Sequence, residues 1–135
     1  MIGIVILTHG LFGEEIFKSA EMILGRQDKV EIISMQAGFS LDNIAGQLED
    51  IINIYSSDSC LVFTDMFGGS PSNISMAFLG SYNIEVVSGV NLPMLLKAFT
   101  LRMDSNYTLS QIAYESAKAG QESIKVAGEL LNNIS

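Results

Sequence analysis

The chain has no tryptophan, one cysteine, one histidine and two prolines among its 135 residues. With aromatics at only 8%, aliphatic side chains must supply most of a core, and the 48% hydrophobic share is enough for one domain spanning 1–135. A lone cysteine, Cys60, excludes an internal disulfide. Its neighbours Leu61, Val62 and Phe63 place it on a buried strand, and nothing calls for an oxidising compartment. Basic charge is scarce: 7 Lys and Arg stand against 15 Asp and Glu, for a formal net charge of -8. An acidic surface repels phosphate backbones, so nucleic acid is not an expected partner. The same charge suits docking onto basic proteins, or serves solubility alone. Long apolar runs are absent too. Met1 to Leu7 is too short to span a bilayer, lacks a basic lead and runs into Thr8-His9-Gly10. It reads as a buried strand, not a signal peptide, and the cytoplasm is the expected location.

Missing motifs narrow the chemistry further. The sequence has no G-x-x-x-x-G-K-[ST] stretch and no G-x-G-x-x-G, so a nucleotide site has no support. One histidine and one cysteine far apart in sequence make no metal-ligand cluster, and neither metal nor cofactor is expected. A Ser-His-Asp hydrolase written with Ser70, His9 and Asp65 lacks the G-x-S-x-G elbow.

What is present is an alternation of short apolar runs with segments of helical period, the pattern of an α/β domain. Ile2–Leu7, Val30–Met35, Cys60–Thr64 and Ile84–Ser88 read as strands, the first and third without polar alternation, as expected where both faces are covered. Helices are expected from Phe12 to Leu24 with Gly25 as stop, and from Leu41 to about Tyr55 behind a Ser40 cap. Others run from Ser70-Pro71 to about Leu79, from Asn91-Leu92-Pro93 through Leu101, and from a Thr108 cap to about Ala119. Ser123-Ile124-Lys125-Val126 alternates like a half-exposed edge strand, although Ala127 to Leu131 can also continue a helix; the strand is preferred. The expected fold is an open, mainly parallel sheet with helices on both faces.

In such sheets ligands bind beyond the carboxyl ends of the strands, near the reversal of strand order. That rule gathers Thr8-His9-Gly10, Asp65 through Ser70, and Gly89-Val90-Asn91 on one edge. His9 is the sole imidazole, a neutral nucleophile near pH 7 and a good phosphoryl acceptor, with Gly10 and Gly13 leaving backbone room beside it. Position alone also allows an ordinary polar residue at a strand end. Asp65 can fix the ring's tautomer and stabilise the cation formed on phosphorylation, as the aspartate of a catalytic triad does, or it can merely start a turn. Gly68, Gly69 and Ser70 can turn backbone N–H groups and a helix start toward an anion. The Ser70 hydroxyl can donate to a phosphoryl oxygen or cap the helix. The apolar residues Leu11, Phe12, Met66 and Phe67 can form a docking rim around the site, with at least one of the four expected in the core.

Four stretches in order are similar to one family across essentially the whole chain: Thr8-His9-Gly10; Ala20-Glu21-Met22-Ile23-Leu24-Gly25; Thr64-Asp65-Met66-Phe67-Gly68-Gly69-Ser70-Pro71-Ser72-Asn73; and Gly89-Val90-Asn91-Leu92-Pro93-Met94-Leu95. They resemble the IIA component of the mannose-family phosphoenolpyruvate-dependent sugar phosphotransferase system. The resemblance implies that His9 accepts a phosphoryl group from phospho-HPr and donates it to a IIB component. IIB then phosphorylates a mannose-class sugar entering through the membrane IIC and IID components. It implies that Asp65 orients His9 and that Ser70 lies near the phosphoryl group. It also implies a homodimer in which an antiparallel C-terminal edge strand is exchanged between subunits. The competing expectation is a regulatory IIA-like domain phosphorylated only to report sugar supply, or a phosphocarrier of a dihydroxyacetone kinase system.

Overall fold

Four apolar runs become strands: β1 (Gly3–His9), β2 (Val30–Met35), β3 (Cys60–Thr64) and β4 (Ile84–Ser88). They form one sheet in the order β2-β1-β3-β4, with every adjacent pair parallel. The computed structural model describes residues 1–134. The helices are α1 (Phe12–Leu24), α2 (Leu41–Ile54), α3 (Ser70–Met76), α4 (Leu92–Leu101), α5 (Leu109–Glu122) and α6 (Ala127–Ile134).

The helices sort themselves by face. Ile4, Ile6, Leu61 and Phe63 point toward α1, α4 and α5, where Ala20, Leu95, Phe99 and Ile112 close the core. Val5, Leu7, Val62 and Ile84 point the other way, against Ile44, Leu48 and Ile52 of α2, with Ile74 of α3 packed against them. Burial on both faces is why β1 and β3 carry no polar alternation.

Helix ends follow local chemistry. Ser40 accepts from the Asn43 amide, Asn91 from Met94, and Thr108 with Gln111 forms a reciprocal capping box. Gly25 closes α1 with φ 85°, a left-handed setting that costs glycine little. At α1 the N-cap residue, Leu11, has no side-chain acceptor; the buried Thr8 hydroxyl takes the Gly13 amide instead, at 2.8 Å. A Cβ on Gly13 would lie 3.0 Å from that hydroxyl and 3.1 Å from Ile6 Cγ2. Gly13 therefore permits close helix–strand packing; it does not leave room for a ligand.

Three expectations need correction. β1 extends two residues past Leu7, so His9 ends the strand instead of following it. α3 begins at Ser70 with Gly69 as its cap and stops at Met76, short of Leu79. The Ser123–Val126 segment pairs with no strand of this chain: 124–126 is unpaired backbone, and Ala127 starts α6. Its alternating apolar residues make no strand pairing with the edge strands β2 or β4, and Ile124 and Val126 remain 75% and 63% exposed.

Candidate functional site at the β1–β3 switch

Strand order reverses between β1 and β3, since β2 lies outside β1 and β4 outside β3. His9 closes the first of these central strands and Asp65 directly follows the second, so the topology brings together two residues 56 positions apart. Asp65 Oδ2 accepts both the His9 amide at 2.9 Å and the His9 ring nitrogen Nδ1 at 2.7 Å. The other carboxylate oxygen takes the Met66 amide at 3.0 Å. Burial pushes the Asp65 carboxyl up, but the hydrogen bonds and charge of His9 outweigh it and hold the group below its ordinary value. With Nδ1 donating to Asp65, the Nε2 lone pair is the one left free. The side chain is 49% exposed, so an incoming partner can reach it.

The loop from Asp65 to Gly69 brings the third component. Gly68 takes φ 87°, the left-handed turn that swings the chain back toward β1. Gly69 then passes directly beneath the imidazole: a Cβ there would sit 3.1 Å from His9 Cε1. Ser70 follows as the first residue of α3, and no side chain caps that helix. The two roles open to the Ser70 hydroxyl therefore do not compete, and among the described residues it has no hydrogen-bond partner.

Leu11, Phe12, Met66 and Phe67 are all exposed, Phe67 at 74%. None of the four is in the core, contrary to expectation. They leave apolar surface on both sides of His9, from the β1–α1 turn and from the Asp65–Gly69 loop. What motif reading missed is a set of strand-terminal hydroxyls. Thr8 holds the start of α1, and Thr64 and Ser88, register partners on β3 and β4, bond to each other at 2.8 Å. The available signal was that all four strands carry a hydroxyl at or next to their carboxyl end: Thr8, Ser34, Thr64 and Ser88.

A model of the family described as "PTS system fructose IIA component" matches residues 3–114. The chain belongs to this family. It is 31% identical over 126 residues to the "PTS system mannose-specific EIIAB component" of Escherichia coli strain K12, covering 92% of this chain and 39% of that protein. The chain thus spans about two fifths of the length of that relative. Against the "PTS system fructose-specific EIIA component" of Bacillus subtilis it is 26% identical, covering 99% of this chain and 92% of the relative. Its fold superimposes on the crystal structure of phosphotransferase system component EIIA from Streptococcus agalactiae with a TM-score of 0.88. There the identity is 32%, over 96% of this chain and 99% of that one. It is also similar to the mannose/sorbose-specific IIA subunit from Enterococcus faecalis, with TM-score 0.81 and 28% identity over 93% of each chain. These relatives and structures place the chain's family among the EIIA components of the mannose/fructose/sorbose class. No helix among its described residues is long and apolar enough to cross a membrane.

Proposed function

We propose that this EIIA protein is a phosphoryl carrier that takes the group from phospho-HPr onto Nε2 of His9 and passes it to a IIB component. The observation that carries this reading is the 2.7 Å contact between His9 Nδ1 and Asp65 Oδ2, which orients the ring and leaves Nε2 as the nucleophile. As the Nε2–P bond forms, the P–N bond to the donor histidine breaks and its electron pair returns to the donor imidazole. The proton on Nδ1 stays with His9, and the Asp65 carboxylate offsets the positive charge the ring acquires. A loose phosphoryl transition state needs in-line approach and donors for its equatorial oxygens. The Ser70 hydroxyl and the backbone N–H groups of the Gly68–Ser70 turn are the candidates for that role. Onward donation to IIB reverses the bond changes and restores the starting ring. Leu11, Phe12, Met66 and Phe67 form the apolar rim against which partners dock and exclude water. The reaction takes place in the cytoplasm and feeds a membrane permease that phosphorylates a mannose-class sugar.

The functional unit in this proposal is a homodimer. β4 is one of the two edge strands of the sheet. Beside it runs a groove of about 510 Å³, lined in part by Met76, Leu79, Val86, Val87 and Tyr114. An exposed strand edge invites pairing, and the unpaired, alternating Ser123–Val126 segment of a second copy is a suitable occupant.

Incubation with phosphoenolpyruvate, Enzyme I and HPr, followed by intact-mass measurement, tests the carrier reading. The expected result is one acid-labile phosphoryl group, absent from His9→Ala. No mass gain while HPr is fully phosphorylated would sink His9 as the acceptor.

A further inference from the structure

Three buried or half-buried hydroxyls meet behind the Asp65–Pro71 loop. Thr64 Oγ1 donates to Ser88 Oγ at 2.8 Å, and Ser88 Oγ donates to Ser72 Oγ at 3.0 Å. Ser72 Oγ in turn donates to Met76 Sδ at 3.5 Å. Thr64 and Ser72 are both fully buried. Thr64 immediately precedes Asp65, and Ser72 lies two residues beyond Ser70. Both ends of the loop that carries the site's carboxylate, glycines and serine are therefore bound to one atom, the Ser88 hydroxyl oxygen on β4.

The arrangement follows from the sheet. Thr64 and Ser88 are register partners on adjacent strands, so their side chains stand side by side on one face. That face is the one α3 covers, and Ser72 reaches down from α3 to complete the chain. Within the loop itself the hydrogen bonds are local, such as Met66 N to Asp65 Oδ1 and Asn73 N to Gly69 O. These shape the turn. The Asp65 end is held to the sheet already, since Thr64 belongs to β3, its carbonyl accepts from the Val90 amide and Asp65 bonds His9 on β1. At the α3 end the bond that reaches the sheet is the one from Ser88 Oγ to Ser72 Oγ, and it sets the distance of that end from β4. The displaced quantity, if it were lost, is the gap between His9, anchored on β1 through Asp65, and Gly69–Ser70 at the head of α3.

We infer that Ser88 is a positioning residue for the reaction at His9: its hydroxyl clasps the Asp65–Pro71 loop so that the Gly69–Ser70 segment stays at transfer distance from His9. This rests on the carrier reading above. Ser88 lines the groove beside β4 together with the rim residue Phe67, but its hydroxyl is engaged by Thr64 and Ser72, so its loss acts on the chemical step more than on partner binding. Replacing it with alanine leaves the buried Thr64 hydroxyl without its acceptor and the Ser72 hydroxyl with only its weak bond to Met76 Sδ, which favours movement of the loop to satisfy them. Phosphoryl transfer depends almost wholly on positioning, so a small shift is costly in rate.

Ser88→Ala and Ser88→Thr test this in two independent ways. In phosphoryl transfer from phospho-HPr, Ser88→Ala should lower kcat about tenfold while KM stays within about twofold, and Ser88→Thr, which retains the hydroxyl, should restore kcat. In the unphosphorylated proteins, amide hydrogen exchange at Gly69 and Ser70 should be faster in Ser88→Ala than in wild type, with exchange in β1 unchanged. If wild type takes no phosphoryl group at all, the carrier reading fails, while the exchange experiment still judges the clasp. An unchanged kcat in Ser88→Ala, a loss that Ser88→Thr does not restore, or unchanged exchange at Gly69 and Ser70 would overturn the inference.

Discussion

One oxygen atom, Oδ2 of Asp65, holds both the backbone amide and the ring of His9, and this double contact makes the site sensitive to single substitutions. The Asp65 carboxyl sits below its ordinary value of 3.8 because the hydrogen bonds and charge of His9 exceed the opposing effect of burial. A carboxyl lowered by folding adds stability that is present above its unfolded value and is lost as pH falls through the lower folded value. The stability advantage of wild type over Asp65→Asn should therefore shrink as urea melts are taken from about pH 5 down to about pH 2. The same variant should accept phosphoryl roughly hundredfold more slowly at neutral pH, since an amide neither fixes the tautomer as firmly nor offsets the ring's charge. Gly69 is the second sensitive point. Its φ of -83° suits any residue, so Gly69→Ala acts through space alone. The added methyl would meet His9 Cε1 at 3.1 Å and Met66 Cγ at 3.2 Å. Met66 is exposed and can swing aside; the imidazole cannot move without stretching its bond to Asp65. Gly69→Ala should lower transfer about tenfold while changing unfolding free energy by less than about 1 kcal/mol, read by stopped-flow transfer and urea titration.

At the scale of elements, the residue at the end of α4 anchors the opposite end of the sheet. Arg102 is 4% exposed and lies over the Phe99 ring, 4.9 Å from its centroid. One guanidinium nitrogen donates to the carbonyls of Ile2 at 3.1 Å and Lys29 at 3.2 Å, and the other donates to the carbonyl of Asp28. These bonds join the carboxyl end of α4 to the chain entering β1 and β2. Burial pushes the guanidinium down to about 10 without discharging it at neutral pH. Arg102→Ala should cost about 2–4 kcal/mol, because it strands buried carbonyls as well as removing a packed side chain. Arg102→Lys should recover only part of this, lacking the planar fork that serves several acceptors at once. Chemical unfolding measures both, and His9 phosphorylation in the surviving folded fraction should stay near wild type, since these contacts lie at the far end of the strands.

For the whole molecule the unfinished business is apolar surface around β4 and the tail. Ile124 and Val126 are exposed, and α6 carries exposed Leu130 and Leu131. If these surfaces meet in a dimer, sedimentation should give twice the 14.6 kDa chain mass at micromolar concentration. Ile124→Glu with Val126→Glu should then return a folded monomer. A wild-type monomer under those conditions would refute the exchanged-strand proposal. The net charge of -8 favours this test at moderate salt, where like-charge repulsion between subunits is screened.

The sequence by itself determined the bounds of β2, β3 and β4 and the starts of α2, α4 and α5. Those features depend on local causes: short runs rich in apolar and β-branched residues, and side chains of Ser40, Asn91 and Thr108 that cap their own helices. It also marked His9, Asp65 and Ser70 as candidates, because few residue types can do this chemistry and the family motifs contain them. Tertiary structure alone decided that Asp65 engages Nδ1 and leaves Nε2 free, that Gly69 and not Ser70 caps α3, and that Gly13 serves packing. It alone brought Ser88 to both ends of the site loop. Each of these depends on distances between segments far apart in the chain, which are set by strand order and by which face each side chain occupies. The Ser123–Val126 segment marks the limit in both directions. Its alternation is a local property and was legible, but a strand exists only where its backbone pairs with an edge, and within this subunit 124–126 pair with neither β2 nor β4.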